Sequence, residues 1–546
     1  MTGERVYLYD TTLRDGAQTQ GVDFTVADKI AIAHALDQLG IDYIEGGWPG
    51  ANPTDDTFFA EPPVLTRARF AAFGMTRRVG RSADNDPQVS ALFNANTAAI
   101  CIVGKASAIQ VTTALGISLD DNVMVIADTI RAIVAAGREA LFDAEHFFDG
   151  YRQDPDYATR CVEAAYQAGA RWVVLCDTNG GALPDEVRQA VTDIRKVIPG
   201  DHLGVHTHND TENAVSNSLA AVAAGARMIH GTLNGLGERC GNANLITLLP
   251  TLMLKLGYKT GVTLEGLSQL RHVSRLADDR LNRIPARGAA YVGDSAFAHK
   301  GGLHVSAVEK DPSLYEHIDP ALVGNTRRVI VSDQAGKSNV LSRFREIGIE
   351  ADPKDERIAR LVEQVKQREY EGYAYDGAEA SFELMARRAL EAVPVYFRLQ
   401  SFRILDERRF NAAGLLETLS EATVKVSVGE ELVMAVAEGN GPVNALDGAL
   451  RKSLAPSYPE LAGIRLIDYK VRILNSKDGT RAVTRVMIES ADAEGQRWTT
   501  VGVSPNIIEA SFEALEDSLT WRLFHKRARI IPLAGEGRRA VGQALR

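Results

Sequence analysis

Two spacings of apolar residues alternate along the first half of the chain. Short β-favouring runs fall at residues 6–11, 43–48, 70–75, 98–103, 140–146, 172–177, 203–208 and 228–234. Between them, apolar positions recur at helical spacing over 26–39, 123–136, 155–168, 185–197 and 213–224. Gly40, Gly137, Gly169 and Gly225 stand where helices of this kind stop. Strands separated by helices pair in parallel through right-handed crossovers. Eight such units in about 250 residues predict a closed (β/α)₈ TIM barrel. An open doubly wound sheet is the alternative, disfavoured because no Gly-x-Gly-x-x-Gly follows the first strand.

The alternation stops near Tyr258. Helical patterns at 264–281 and 357–370 dominate a linker over 259–410. From about Glu421 two β-rich halves follow, with strands at 424–428 and 432–437, then at 464–474, 482–490 and 498–503. Each half runs through glycine and then proline (Gly441-Pro442, Gly502 to Pro505) into a helix, with the proline read as the first helical residue. Residues 411–546 are therefore expected to form an α+β regulatory domain with an internal pseudo-repeat, after a barrel over 1–258. Free amides at the two helix starts suit a small carboxylate effector; a bare dimerisation module is the alternative.

Barrel function resides on the loops after each strand. The first strand end offers Arg14 and Asp15, the second Glu45, the fifth Asp143, Glu145 and His146, the sixth Asp177, Thr178 and Asn179, and the seventh His206, His208 and Asn209. Strand alternation puts His206 and His208 on one face. A lone His-x-His is usually incidental, but two imidazoles and the Asp15 carboxylate at strand ends make a ligand set for one divalent cation. The Gly235-x-Gly237 turn beyond strand eight could use its amides on an anion, or merely turn.

Bulk properties narrow the class. A 45% hydrophobic, 24% charged chain is ordinary for a soluble globular protein, and a net charge of -10 gives no reason to expect nucleic acid. The basic stretch 522–546 reads as a solvated tail. Four scattered cysteines indicate neither disulfides nor a thiolate site. No leader pattern and no membrane-length apolar run is present, so a cytoplasmic protein is expected.

Three motifs occur together in one order: Asp10-Thr11-Thr12-Leu13-Arg14-Asp15-Gly16, His206-Thr207-His208-Asn209-Asp210 and Gly235-Leu236-Gly237-Glu238-Arg239-Cys240-Gly241-Asn242. With them the chain resembles the acyl-CoA-dependent condensing synthases that make 2-isopropylmalate, homocitrate and citramalate. The stretches 18–24 and 45–53 look most like the citramalate branch.

The resemblance implies Asp15, His206, His208 and the Asn242 amide oxygen as ligands of one divalent ion (Zn, Mn or Mg). It implies Arg14 on the keto oxygen, Thr178 on the substrate carboxylate and Glu145 in the acid-base group. His304, more than His299, matches a linker histidine that reaches the site, often from a partner subunit; Tyr315 is a weaker candidate for a site tyrosine. The implied reaction condenses acetyl-CoA with pyruvate and hydrolyses the thioester to (R)-citramalate and CoA, a step toward isoleucine, in a homodimer with an amino-acid effector, isoleucine or leucine. A 2-isopropylmalate synthase using 2-oxoisovalerate, a carbon–carbon lyase of the same barrel and a catalytically silent sensor are the alternatives. Met75, Ile102, Phe142 and Asp143 are expected beside the keto carbon, where bulk favours pyruvate.

Overall fold

The computed structural model describes residues 3–332, 336–390, 393–410, 412–474, 479 and 481–531. The strands are β1 (Tyr7–Asp10), β2 (Tyr43–Glu45), β3 (Arg69–Met75), β4 (Ala99–Lys105), β5 (Glu139–Glu145), β6 (Trp172–Asp177), β7 (Leu203–Thr207) and β8 (Met228–Gly231). Among the described residues these eight close into one barrel, β8 returning to β1 with Tyr7 opposite Met228 and Asp10 opposite Gly231. Every neighbouring pair is parallel. Closure removes the open-sheet alternative.

The interleaved helices begin and end where local chemistry dictates. Thr25 and Asp28 form a reciprocal capping box at the start of Val26–Leu39, which stops at Gly40 with φ 100°. Ala214–Ala224 ends in the same way at Gly225, φ 111°. Strand alternation sorts the side chains into two cores. Tyr9, Tyr43, Phe73, Cys101, Leu141, Trp172, Val174 and Cys176 fill the barrel interior. Ile44, Ile100, Ile102, Phe142 and Leu175 face the surrounding helices.

Two compact units divide the chain: residues 1–297 with 316–327, and 298–315 with 328–546. In the first, the helix expected over 264–281 is two, Leu264–Leu267 and Leu270–Arg280. The Ser268 hydroxyl bonds back to the Glu265 carbonyl at 2.6 Å at the break.

The second unit holds two three-stranded antiparallel sheets, each followed by a helix. Arg398–Phe410, Leu416–Val428 and Glu431–Gly439 precede the helix Pro442–Leu454. Arg465–Ile473, Thr484–Ala491 and Arg497–Ser504 precede Ile507–His525. Residues 398–410, which the sequence pattern leaves in the helical linker, are thus a sheet strand; Leu399, Phe402 and Ile404 are partly buried against the core while the apolar Leu405 and Phe410 are exposed, which blurs the alternation. The proline rule holds for Pro442 at the first helical turn. It does not hold in the second half, where Asn506 caps the helix, accepting from the Ile508 amide at 2.9 Å, and Pro505 lies before the cap.

Candidate functional site

Asp15 follows β1 and stands opposite the end of β7. His206 lies on β7 and His208 one residue beyond it, so the strand's two-residue period sends both rings to one face. Their Nε2 atoms lie 3.2 Å apart. The Asp15 Oδ2 atom lies 3.3 Å from His206 Nε2 and 3.8 Å from His208 Nε2. These separations match ligand atoms around a cation held at about 2.0–2.2 Å. Asp15 Oδ1 and Asn242 Oδ1 are both buried with no hydrogen-bond partner in the protein, which would cost roughly 1–3 kcal/mol for each atom left unsatisfied. The Asn242 amide is oriented by its nitrogen, which donates to the Leu236 carbonyl at 3.3 Å. The donor set of carboxylate, two imidazoles and an amide oxygen therefore fits a borderline divalent ion.

Electrostatics favour the ligating forms of Asp15 and His208 but not of His206. Burial pushes the Asp15 carboxyl up, but Arg14, His206 and His208 outweigh it and hold it well below the usual carboxylate range. Burial and the neighbouring His206 push His208 down to about 4, so its imidazole is neutral at physiological pH. Burial also acts to lower His206, but Asp15 overrides it and raises this ring above its ordinary value.

Arg14 is fixed rather than merely nearby. Its Nε donates to Glu45 Oε2 at 2.6 Å, its Nη1 to Asp15 Oδ2 at 3.2 Å, and its guanidinium lies 3.9 Å over the Phe73 ring. Glu45, fully buried, is held in turn by Tyr9 Oη at 2.7 Å and Thr11 Oγ1 at 2.5 Å. Arg14 Nη2 takes part in neither ion pair and is left for a ligand.

Across the mouth, Lys105 ends β4 and Glu145 ends β5, and the two are register partners. Lys105 Nζ lies 2.5 Å from Glu145 Oε2. The next residue, His146, has a left-handed backbone (φ 58°), and its amide donates to Thr178 Oγ1 at 2.8 Å. With a lone pair engaged in this way, the Thr178 hydroxyl keeps its hydrogen for a ligand. Arg14, Asp15, Glu145, Thr178, His206 and His208 all line one cavity of about 280 Å³.

Several expectations change. Met75 and Asp143 line this cavity, whereas Ile102 and Phe142 point outward into the helix-facing core. They are one residue out of phase with the inward positions 101, 103, 141 and 143, so Phe73, Val103 and Cys176 take the place assigned to them. The Gly235 and Gly237 amides do not form an anion cradle: they donate to Thr232 O at 3.4 Å and Thr19 Oγ1 at 2.8 Å. Gly237 instead makes room, since a Cβ there would sit 2.4 Å from Asn242 Nδ2.

His304 lies in the second unit on Gly302–Lys310, exposed, with its ring 4.3 Å from that of Tyr315. The two linker candidates are therefore neighbours. His299 is buried on a short strand. The sequence reading missed His230 on β8, fully buried, stacked 4.0 Å on Tyr9 and 3.7 Å from Asp143. His230, Asp143 and His206 form a second group of metal-binding type that shares His206 with the first. Burial pushes Asp143 up to about 6, whereas Asp15 is held ionised, so the Asp15 group is the better seat for a cation.

The HMGL-like family model matches residues 5–275, the homocitrate synthase post-HMGL domain-like model 291–372, and the LeuA allosteric (dimerisation) domain model 376–521. The (R)-citramalate synthase of Aquifex aeolicus is 48% identical over 95% of this chain and 98% of its own. That of Geobacter sulfurreducens is 49% identical over 96% and 98%. The 2-isopropylmalate synthase of Methanocaldococcus jannaschii is 30% identical over 94% of each chain. Full-length likeness at this level, together with the barrel and its ligand set, means that the chain belongs to the citramalate synthases of the 2-isopropylmalate/homocitrate synthase family.

Proposed function

We propose that the protein is an acyltransferase that condenses acetyl-CoA with pyruvate and hydrolyses the thioester, releasing (R)-citramalate and CoA, in the pathway to isoleucine. The observation that carries this reading is the convergence of Asp15, His206 and His208 beside Arg14. The (R)-citramalate synthases at 48–49% identity, against 30% for the 2-isopropylmalate synthase, favour pyruvate over 2-oxoisovalerate.

Asp15, His206, His208 and Asn242 would hold one divalent ion, which when bound acts as a Lewis acid on the keto acid. Arg14, locked by Glu45, places a guanidinium N–H where negative charge develops on the keto oxygen. The Thr178 hydroxyl donates to the substrate carboxylate. Glu145 is the acid-base group for the acetyl methyl, with His304, from this chain or a partner, as the second member. The ion is Zn, Mn or Mg, and the two imidazoles favour Zn over the harder Mg. Incubation with acetyl-CoA and a panel of 2-oxo acids, scored by CoA release, tests the assignment: pyruvate is expected to turn over fastest. A faster rate with 2-oxoisovalerate, or carbon–carbon cleavage without condensation, would replace it.

The 376–521 match supports a homodimer with an allosteric C-terminal domain; the effector that goes with a pyruvate-using enzyme is isoleucine. A cytoplasmic location accords with four free cysteines and with no described helix long and apolar enough to cross a membrane.

A further inference from the structure

The metal ligands and Arg14 act on the keto acid alone, yet the acyl partner also develops charge. Removing a proton from the methyl of a thioester leaves an enolate whose negative charge sits on the thioester oxygen. In a site shielded from water that oxygen needs a positioned donor.

A second cavity of about 360 Å³ adjoins the first and shares Met75, Val103, Lys105 and Glu145 with it. Its remaining wall carries the apolar Val79, Leu115, Ile117 and Val125 and the polar Thr76, Gln88 and Arg77, with Arg78 at an exposed position. A partly apolar wall with two cations in its lining suits a long, thiol-linked arm ending in phosphate. The ion pair of Lys105 and Glu145 stands where the two cavities meet.

The pair is built into the fold. The Lys105 carbonyl accepts from Asn122 Nδ2 at 2.8 Å, and the Ala106 amide donates to the Glu145 carbonyl at 2.9 Å, so both strand ends are tied down. The Lys105 side chain is 16% exposed and that of Glu145 24%. An ammonium carries three N–H donors in a tetrahedral array, and Glu145 Oε2 engages one of them.

We propose that Lys105 is the electrophile for the acyl partner, its ammonium donating to the thioester carbonyl oxygen while the Glu145 carboxylate takes a proton from the methyl. This rests on the condensing reaction proposed above. The methyl C–H bond breaks, its proton passes to Glu145, and its electron pair forms the carbon–carbon double bond of the enolate. The carbonyl π pair moves onto the oxygen facing Lys105. The enolate pair then attacks the keto carbon, and the new carbon–carbon bond returns the thioester carbonyl while charge passes to the keto oxygen beside Arg14.

The test compares wild type with Lys105→Met, which keeps length without charge, and with Lys105→Arg. Exchange of the acetyl-CoA methyl protons with deuterated water, in the presence of oxamate as a non-condensing pyruvate analogue, isolates the first step. Lys105→Met is expected to lower exchange and kcat at least 100-fold, with the KM for pyruvate and bound metal within twofold of wild type. Acetyl-dithio-CoA, whose thiocarbonyl sulfur is a poor hydrogen-bond acceptor, should shrink that penalty to under tenfold; an equal penalty with both substrates would mean that Lys105 only orients Glu145. Exchange within threefold of wild type in Lys105→Met would overturn the proposal outright. Should Lys105→Met fail to fold, the same substrate comparison is made on Lys105→Arg, whose displaced donor is expected to slow acetyl-CoA at least tenfold more than the dithio analogue; equal slowing overturns the proposal. Wild-type protein that releases no CoA from pyruvate would instead overturn the condensing reading itself.

Discussion

Asp15 Oδ2 and His206 Nε2, separated by 190 residues of chain, lie 3.3 Å apart in the barrel mouth. This contact gives the site a pH dependence with a definite sign. Asp15 overrides burial and raises the His206 imidazole above its ordinary value, so in the metal-free protein a proton competes for that nitrogen at a higher pH than for a free imidazole. Cation affinity should be level above the raised value and fall by about tenfold per pH unit below it. The slope should steepen only near pH 4, where His208 also protonates. Metal dissociation constants measured against a competing chelator from about pH 3.5 to 8.5 check this; a flat profile would contradict it.

Gly237 and Asn242 make a second prediction. A Cβ at residue 237 would meet Asn242 Nδ2 at 2.4 Å and its backbone nitrogen at 3.1 Å. Gly237→Ala should therefore displace the Asn242 amide and, if its oxygen is the proposed fourth ligand, weaken metal binding about 10–100-fold. Asn242→Ala should do the same with less effect on thermal stability. Equilibrium dialysis and melting curves on both variants distinguish ligand loss from unfolding.

Met75 lines both cavities at the mouth. Met75→Ala should move the ratio of kcat/KM between 2-oxobutyrate and pyruvate toward the longer acid by about 10-fold, within the 1–3 kcal/mol that a methylene is worth in a pocket. Phe142→Ala, with its side chain in the outer core, should leave the ratio unchanged and cost about 3–5 kcal/mol of stability.

These contrasts mark what the sequence makes legible. Short β-favouring runs identified all eight barrel strands, and the two-residue alternation within them, an equally local property, put His206 and His208 on one face. It also contains the phase separating Phe142 from Asp143, which a reading by strand position alone overlooked. The pairing of Lys105 with Glu145 depends on the register between β4 and β5, and no single strand carries that information. His230 is hidden for a different reason: a histidine in an apolar run gives no sign of stacking on Tyr9 across the β8–β1 seam. Strand 398–410 was missed because its apolar face of Leu399, Phe402 and Ile404 is interrupted by charged residues and blurred by the exposed Leu405 and Phe410.

Arg14 separates binding from turnover. It contacts Asp15 through one nitrogen but completes no ligand set, so Arg14→Lys should retain the cation while kcat falls about 10²–10³-fold, the scale of losing one donor to a developing oxyanion. Single-turnover rates on metal-loaded protein check the split.

The most direct measurement is a calorimetric titration of divalent ion into metal-stripped full-length protein, comparing wild type with Asp15→Asn, His206→Ala and His208→Ala. One high-affinity site per chain is expected in the wild type and loss of that site in each variant, with condensation lost in parallel. Undiminished binding in any of the three would show that the cation, and with it the keto acid, sits elsewhere.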